Sequence, residues 1–392
     1  MNPARSRRAP RPGPAPPIDD LFGEAQLESA GLPAQTAGAA QDAQDAPQSV
    51  PPAAPSRRGR GVLPANVATP LMELGQALPE SIRLGTSSWS FPGWDGLVYG
   101  DEYANSTLAR SGLKAYSAHP LLRSVSIDRS FYAPLTLADY AAYAAQTPPG
   151  FRFIVKAPSL ICDAVVRGER GVPAGPNPCF LNVELAIREF ISPCVEGLGS
   201  RAGALVFQFS PLPDDWLAAP AVWIERVGAF LEALPRLPPG VWYALEIRDR
   251  ALLTPRLIKM LQATGVRYCI AIHARMPDAM RQAAALALLD EVSPGPLIVR
   301  WSLHAGFKYE QAKAKYEPFN RLVDEDPATR ATLAQLAAHY TLAGQPVIIT
   351  ANNKAEGSAP LSCFKLSEAI VEILRSTVSP DHETATTLEP VT

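Results

Sequence analysis

The chain has only five cysteines and five histidines in 392 residues, too few and too scattered to build a metal centre from sequence spacing. Cys162, Cys179, Cys194, Cys269 and Cys363 are odd in number and contain no close pair. A zinc-ligand pattern and a disulfide framework are therefore not expected, and a reducing, cytoplasmic setting is. Long apolar runs are missing too. None approaches the roughly 20 residues of a membrane helix, so no membrane partner is expected. The arginines near the start are interspersed with proline and lack an apolar stretch, which does not read as a secretory signal. Charge of one sign is also absent. A formal net charge of -2 gives no global pull toward nucleic acid, so anion binding has to be local. Neither G-x-x-x-x-G-K-[ST] nor G-x-G-x-x-G occurs, and Gly168, Gly171 and Gly175 are spread along one loop. No cofactor is expected.

Proline is plentiful, at 40 residues, and much of it lies early in the chain. Residues 1–78 are rich in Pro, Ala, Gln, Arg and Asp, with few large apolar side chains. Such a segment buries too little surface to offset its chain entropy and is expected to be a disordered tail. It carries basic clusters, between Arg5 and Arg11 and at Arg57, Arg58 and Arg60. It also carries the stretch Ile18, Asp19, Asp20, Leu21, Phe22, which has the character of a short peptide that docks in a partner's groove. Residues 379–392 are expected to be a second tail. One domain, 79–378, remains.

Within it, short apolar runs alternate with helix-like stretches. The runs are 82–87, 124–128, 152–156, 204–208, 242–248, 267–273, 297–302 and 347–352. Helix starts are marked by Thr136 with Asp139, by Thr254 before Pro255, by Asp326 before Pro327, and by Ser358 with Pro360. Eight strand–helix units in about 300 residues predict a (β/α)8 TIM barrel. An open doubly wound sheet is the alternative, and the polar positions argue against it. By the two-residue period of a strand, Tyr243, Leu245 and Ile247 share one face, and Ala244, Glu246 and Arg248 the other. The same alternation sets Ser126 and Asp128, Lys156, Gln208, His273, Arg300 and Asn352 opposite bulky neighbours. All lie near the C-terminal ends of their strands, where barrel active sites form.

These residues carry a resemblance. The run 82–94 (Ile-Arg-Leu-Gly-Thr-Ser-Ser-Trp-Ser-Phe-Pro-Gly-Trp) resembles the opening strand and aromatic loop of the YecE-like family, domain of unknown function 72. Val-Ser-Ile-Asp-Arg-Ser-Phe-Tyr at 125–132, Phe-Ile-Val-Lys at 153–156, Leu-Val-Phe-Gln at 205–208 and Ala-Leu-Glu-Ile-Arg at 244–248 look like its next four strands. The resemblance implies a TIM barrel and no established reaction. A distant likeness to endonuclease IV-type barrels suggests nucleic-acid binding. The chain departs from the family at Ser126, Asp128 and Cys162–Asp163, where the family often has Glu, Asn and a Thr-His pair. The long loop 163–177 and the run Asn352, Asn353, Lys354 suggest a separate branch.

The expected mouth is rich in cations: Arg129, Lys156, Arg248, Arg275, Arg300, Lys308 and Lys354. Guanidinium forks and ammonium groups suit carboxylate or phosphate, so an anionic ligand is expected, either a small molecule or nucleic acid. An extra short helix over 309–316 would stand where barrels often seat phosphate. Glu246 is the candidate for proton transfer, with Asp128 and His273, or His304, assisting. Gln208, Asn352 and Lys354 complete the polar lining, while Trp89, Phe91, Trp94, Phe131 and Tyr132 offer rings for stacking. A metal held by Asp128, Glu246 and His273 is disfavoured by so many neighbouring cations. Enzyme and non-catalytic binder both remain open.

Overall fold

The structure is a computed structural model that describes residues 61–167, 173–304, 307 and 309–378. The basic clusters before residue 61, the Ile18–Phe22 stretch, Gly168, Gly171, Lys308 and the stretch 379–392 lie outside the described residues.

Eight strands close into an all-parallel barrel: β1 Ile82–Thr86, β2 Ser124–Ile127, β3 Arg152–Lys156, β4 Ala202–Gln208, β5 Trp242–Glu246, β6 Arg267–Ile272, β7 Leu297–Trp301 and β8 Val347–Ala351. Each pairs with its neighbours in chain order, and β8 closes onto β1 with Leu84 beside Ile349. Gly85 allows the β1–β2 seam: a side chain there would run into the Ser124 carbonyl at 1.8 Å. The longer helices are α1 Thr69–Ala77, α2 Leu137–Ala144, α3 Pro220–Glu232, α4 Pro255–Thr264, α5 Ala279–Asp290, α6 Tyr309–Tyr316, α7 Pro327–Leu342 and α8 Ala359–Val378. Among the described residues no helix is long and apolar enough to cross a membrane.

Helix starts follow the capping chemistry. Thr136 and Asp139 form a reciprocal capping box, and the side chains of Thr254 and Asp326 accept from Leu257 and Thr329 amides. At α8 the cap differs from expectation. The Ala359 amide donates to Asn353 Oδ1 at 2.8 Å, while the Ser358 hydroxyl makes no hydrogen bond with a described residue.

Strand parity sorts two apolar layers. Val125, Phe153, Val155, Leu205, Phe207, Leu245, Ile247, Ile270, Val299 and Ile349 pack under the helices in the large core. Ile154, Ala204, Val206, Ala244, Cys269, Ile298 and Ile348 fill the barrel's interior as a separate cluster. That cluster is a packed plug. The polar residues lie above it, toward the strands' C-terminal ends.

Two boundaries differ from the sequence reading. Residues 61–78 are not part of a tail. The Ala65 amide donates to Val98 O, the Gly100 amide to Leu63 O, and α1 lies with Gly75 against Pro120. Leu71, Leu74 and Leu78 recur at i, i+3 and i+7 and pack on the core, with Leu78 buried. The Arg123 guanidinium fastens the segment by donating to the carbonyls of Gly75, Leu78 and Pro79. The proline-rich composition hid this short periodicity. The second difference is in the loop 163–177, where Val165–Arg167 and Pro173–Pro176 pair as an antiparallel hairpin.

Candidate functional site

Four strands each deliver one or two polar side chains to a single network. Arg300, from β7, is its hub. Its Nη1 donates to Glu246 Oε2 and Gln208 Oε1, both at 2.8 Å, and its Nη2 to Asp128 Oδ1 and Oδ2 at 3.0 and 2.8 Å. Arg248, two residues past Glu246 on the same inward face, sets Nη2 2.7 Å from Glu246 Oε1 and 3.1 Å from Gln208 Oε1. The contact with Glu246 is a close ion pair rather than a well-directed hydrogen bond. Ser126 donates to Asp128 Oδ1 at 2.6 Å, which fixes the carboxylate that holds Arg300. The predicted facing of β5 holds, because Ala244 lies in the interior cluster and Leu245 and Ile247 in the core under the helices.

Glu246 is fully buried. Burial alone would raise its pKa, but the Arg300 and Arg248 guanidiniums outweigh that and hold it below the ordinary glutamate value. It is ionised at neutral pH. Both of its oxygens lie on guanidiniums.

Lys156, at the end of β3, is buried with its ammonium 3.5 Å from the centroid of the Phe131 ring. The short helical turn Arg129–Phe131 brings that ring there, anchored by Ser130 Oγ donating to Lys156 O at 2.6 Å. Phe131 as a rest for Lys156, and Ser126 as the clamp on Asp128, were not foreseen. The Ser126–Asp128 pair was legible from strand parity alone.

The other expected site residues make contacts of their own. Asn352 donates to Ser87 Oγ at 2.9 Å and accepts the Lys354 amide at 3.0 Å, so it shapes the turn after β8. Lys354 is buried beside it, and its carbonyl accepts the His304 amide. Arg129 reaches outward to Tyr143 Oη at 2.8 Å on α2. Trp89 is buried, donates to Leu108 O and packs edge-on to Tyr143. Phe91 and Trp94 pack on each other, and Phe91 also packs on Phe319. These rings hold the first loop down, and Gly93 lets that loop approach Pro318 O. Of the expected stacking rings described, Tyr132 is the exposed one, edge-on to Phe131. His273 is half-buried after β6, with Nδ1 accepting the Arg275 amide. Arg275 is not a solvated loop cation. Its Nη2 lies 2.6 Å from Asp249 Oδ1.

Among the described residues no group of three or more His, Cys, Asp or Glu side chains is placed to hold a metal ion. Cys162, Cys194, Cys269 and Cys363 are buried and Cys179 is partly exposed. Burial pushes the Cys162 thiol far up, helped by Asp163, and pushes the Cys363 thiol up to about 12. A thiol reagent should therefore titrate one group of the native protein, Cys179, and all five after denaturation. Reaction of a second thiol without unfolding would show that the core opens locally.

A family model described as "Protein of unknown function DUF72" matches residues 83–385. The chain belongs to the DUF72 family. A DUF72 protein of Enterococcus faecalis V583 is 18% identical, with a TM-score of 0.48, over 79% of this chain and 100% of that one. A DUF72 protein of Thermotoga maritima MSB8 is 18% identical, with a TM-score of 0.47, over 73% of this chain and 98% of that one. A D-tagatose 3-epimerase-like protein is 13% identical, with a TM-score of 0.43, over 66% of this chain and 91% of that one. No curated protein matches significantly. DUF72 membership agrees with the resemblance read from the strand motifs, and the family's description gives no activity.

Proposed function

We propose that this barrel binds a small anionic molecule, phosphorylated or carboxylated, at the C-terminal mouth of its strands. One observation carries the reading. Lys156, Arg248 and Arg300, between 2% and 4% exposed, are gathered about one carboxylate, Glu246, with the Arg248 and Arg300 guanidiniums both on Gln208 Oε1. Cations held this close repel one another where water is excluded, and a bound anion relieves the repulsion. Arg300 and Arg248 form the rigid floor, because Asp128, Glu246 and Gln208 already engage their donors. Lys156, whose charge acts on Glu246 from the end of β3, is the cation that meets the ligand. The recess also favours a small ligand over nucleic acid, whose backbone is met by solvent-facing cations. If the bound molecule is also transformed, proton transfer falls to Asp128, oriented by Ser126, or to His273, rather than to Glu246.

The test is the thermal midpoint in rising phosphate at constant ionic strength, for the full chain and for Lys156→Met. Linkage raises stability by about 2.7 kcal/mol at a hundred times the dissociation constant. The wild type should show that rise and Lys156→Met should lose most of it. An equal rise in both proteins would refute the assignment.

A further inference from the structure

Behind the mouth lies an open groove of about 380 Å³, lined by Leu217, Asp249, Arg250, Ala251, Ala274 and Arg275. It is built by the loops that follow β4, β5 and β6. Arg275 is held ready in it. Nε donates to the Arg248 carbonyl at 3.2 Å and Nη2 to Asp249 Oδ1 at 2.6 Å. Asp249 is itself buried and fixed, with Oδ2 accepting the Leu212 amide at 2.8 Å. Arg275 is 44% exposed and makes no ion pair besides Asp249 among the described residues. Arg250 is exposed and makes none among them. Two guanidiniums thus flank the groove against one carboxylate, and that carboxylate is already committed to the wall.

The wall is thin. The same residue, Arg248, presents its guanidinium to the mouth and its carbonyl to Arg275. We infer that the groove is a second anion subsite for the same ligand, which then carries two anionic groups, such as a bisphosphorylated small molecule. The inference rests on the reading of the mouth given above. The first group would sit over Lys156 and the second between Arg250 and Arg275, with the uncharged middle of the ligand crossing the rim beside Arg248. Arginine at the second subsite suits planar, bidentate recognition of phosphate, while the lysine at the first supplies a point charge.

A chemical ruler tests it: calorimetry of the full chain with ethyl phosphate and with alkane-α,ω-bisphosphates from ethane to hexane, at fixed ionic strength. One length should bind about tenfold or more tighter than ethyl phosphate, because the second contact becomes intramolecular. Arg250→Ala and Arg275→Gln should each bring that bisphosphate back toward the monophosphate, whereas Lys156→Met should weaken both probes. The inference is overturned if no length gains over ethyl phosphate, or if the gain survives in Arg250→Ala. If Lys156→Met changes neither probe while Arg250→Ala abolishes both, the groove stands as an anion site and the reading of the mouth falls. If a short oligothymidylate binds more tightly than every bisphosphate, and weakens steeply with salt, the small-molecule assignment is overturned.

Discussion

Glu246→Gln is expected to destabilise the protein by about 3–5 kcal/mol at pH 7, because removing one member of a buried ion pair strands the others. Here two guanidiniums, Arg248 and Arg300, lose the carboxylate between them. Since the folded pKa of Glu246 is depressed, its contribution is fully present above the unfolded value of about 4.3. It is lost as pH falls through the lower folded value. The gap between wild type and Glu246→Gln should therefore be constant from neutral pH to about pH 5 and close below roughly pH 4. Urea unfolding across that range measures it. A cost below about 1 kcal/mol at pH 7 would mean that Arg248 and Arg300 are neutralised without Glu246.

The second large effect concerns residues 61–78. A chain starting at Gly61 should unfold at the same midpoint as the full protein. One starting at Pro79 should lose about 2–4 kcal/mol, from the burial of Leu78 and partial burial of Leu71 and Leu74. Arg123 would also lose the carbonyls of Gly75 and Leu78. Chemical denaturation of the two shortened proteins checks it. Equal midpoints would show that α1 adds order without stability.

How much of this was legible before the structure depends on the kind of signal. Strand parity is strict, so Asp128, Gln208, Glu246, Arg248 and Arg300 could be assigned to the inward face of their strands from the sequence. Their pairing could not, because parity fixes direction and not which guanidinium meets which carboxylate across the barrel. Lys156 and Arg300 read alike in sequence, yet one rests on the Phe131 ring and the other is saturated by Asp128, Glu246 and Gln208. Loops carry no such period. Arg275 was therefore read only as one more cation of the mouth, and its partner Asp249 was passed over although it sits just one residue beyond Arg248. The segment 61–78 failed for a different reason: composition averaged over a long window conceals a helix of nine residues.

The apolar cluster of Ile154, Val206, Ala244, Cys269, Ile298 and Ile348 beneath the ionic layer has a kinetic meaning. It seals the barrel at its waist, so water and solutes have no passage from one end to the other. Whatever arrives at Lys156 must leave by the door it used. If the proposed ligand binds there, departure rather than entry would set the pace once it is abundant. Under the proposed function, slow release and mutually exclusive occupancy would then follow from the plug beneath the ligand, whatever the chemistry above it.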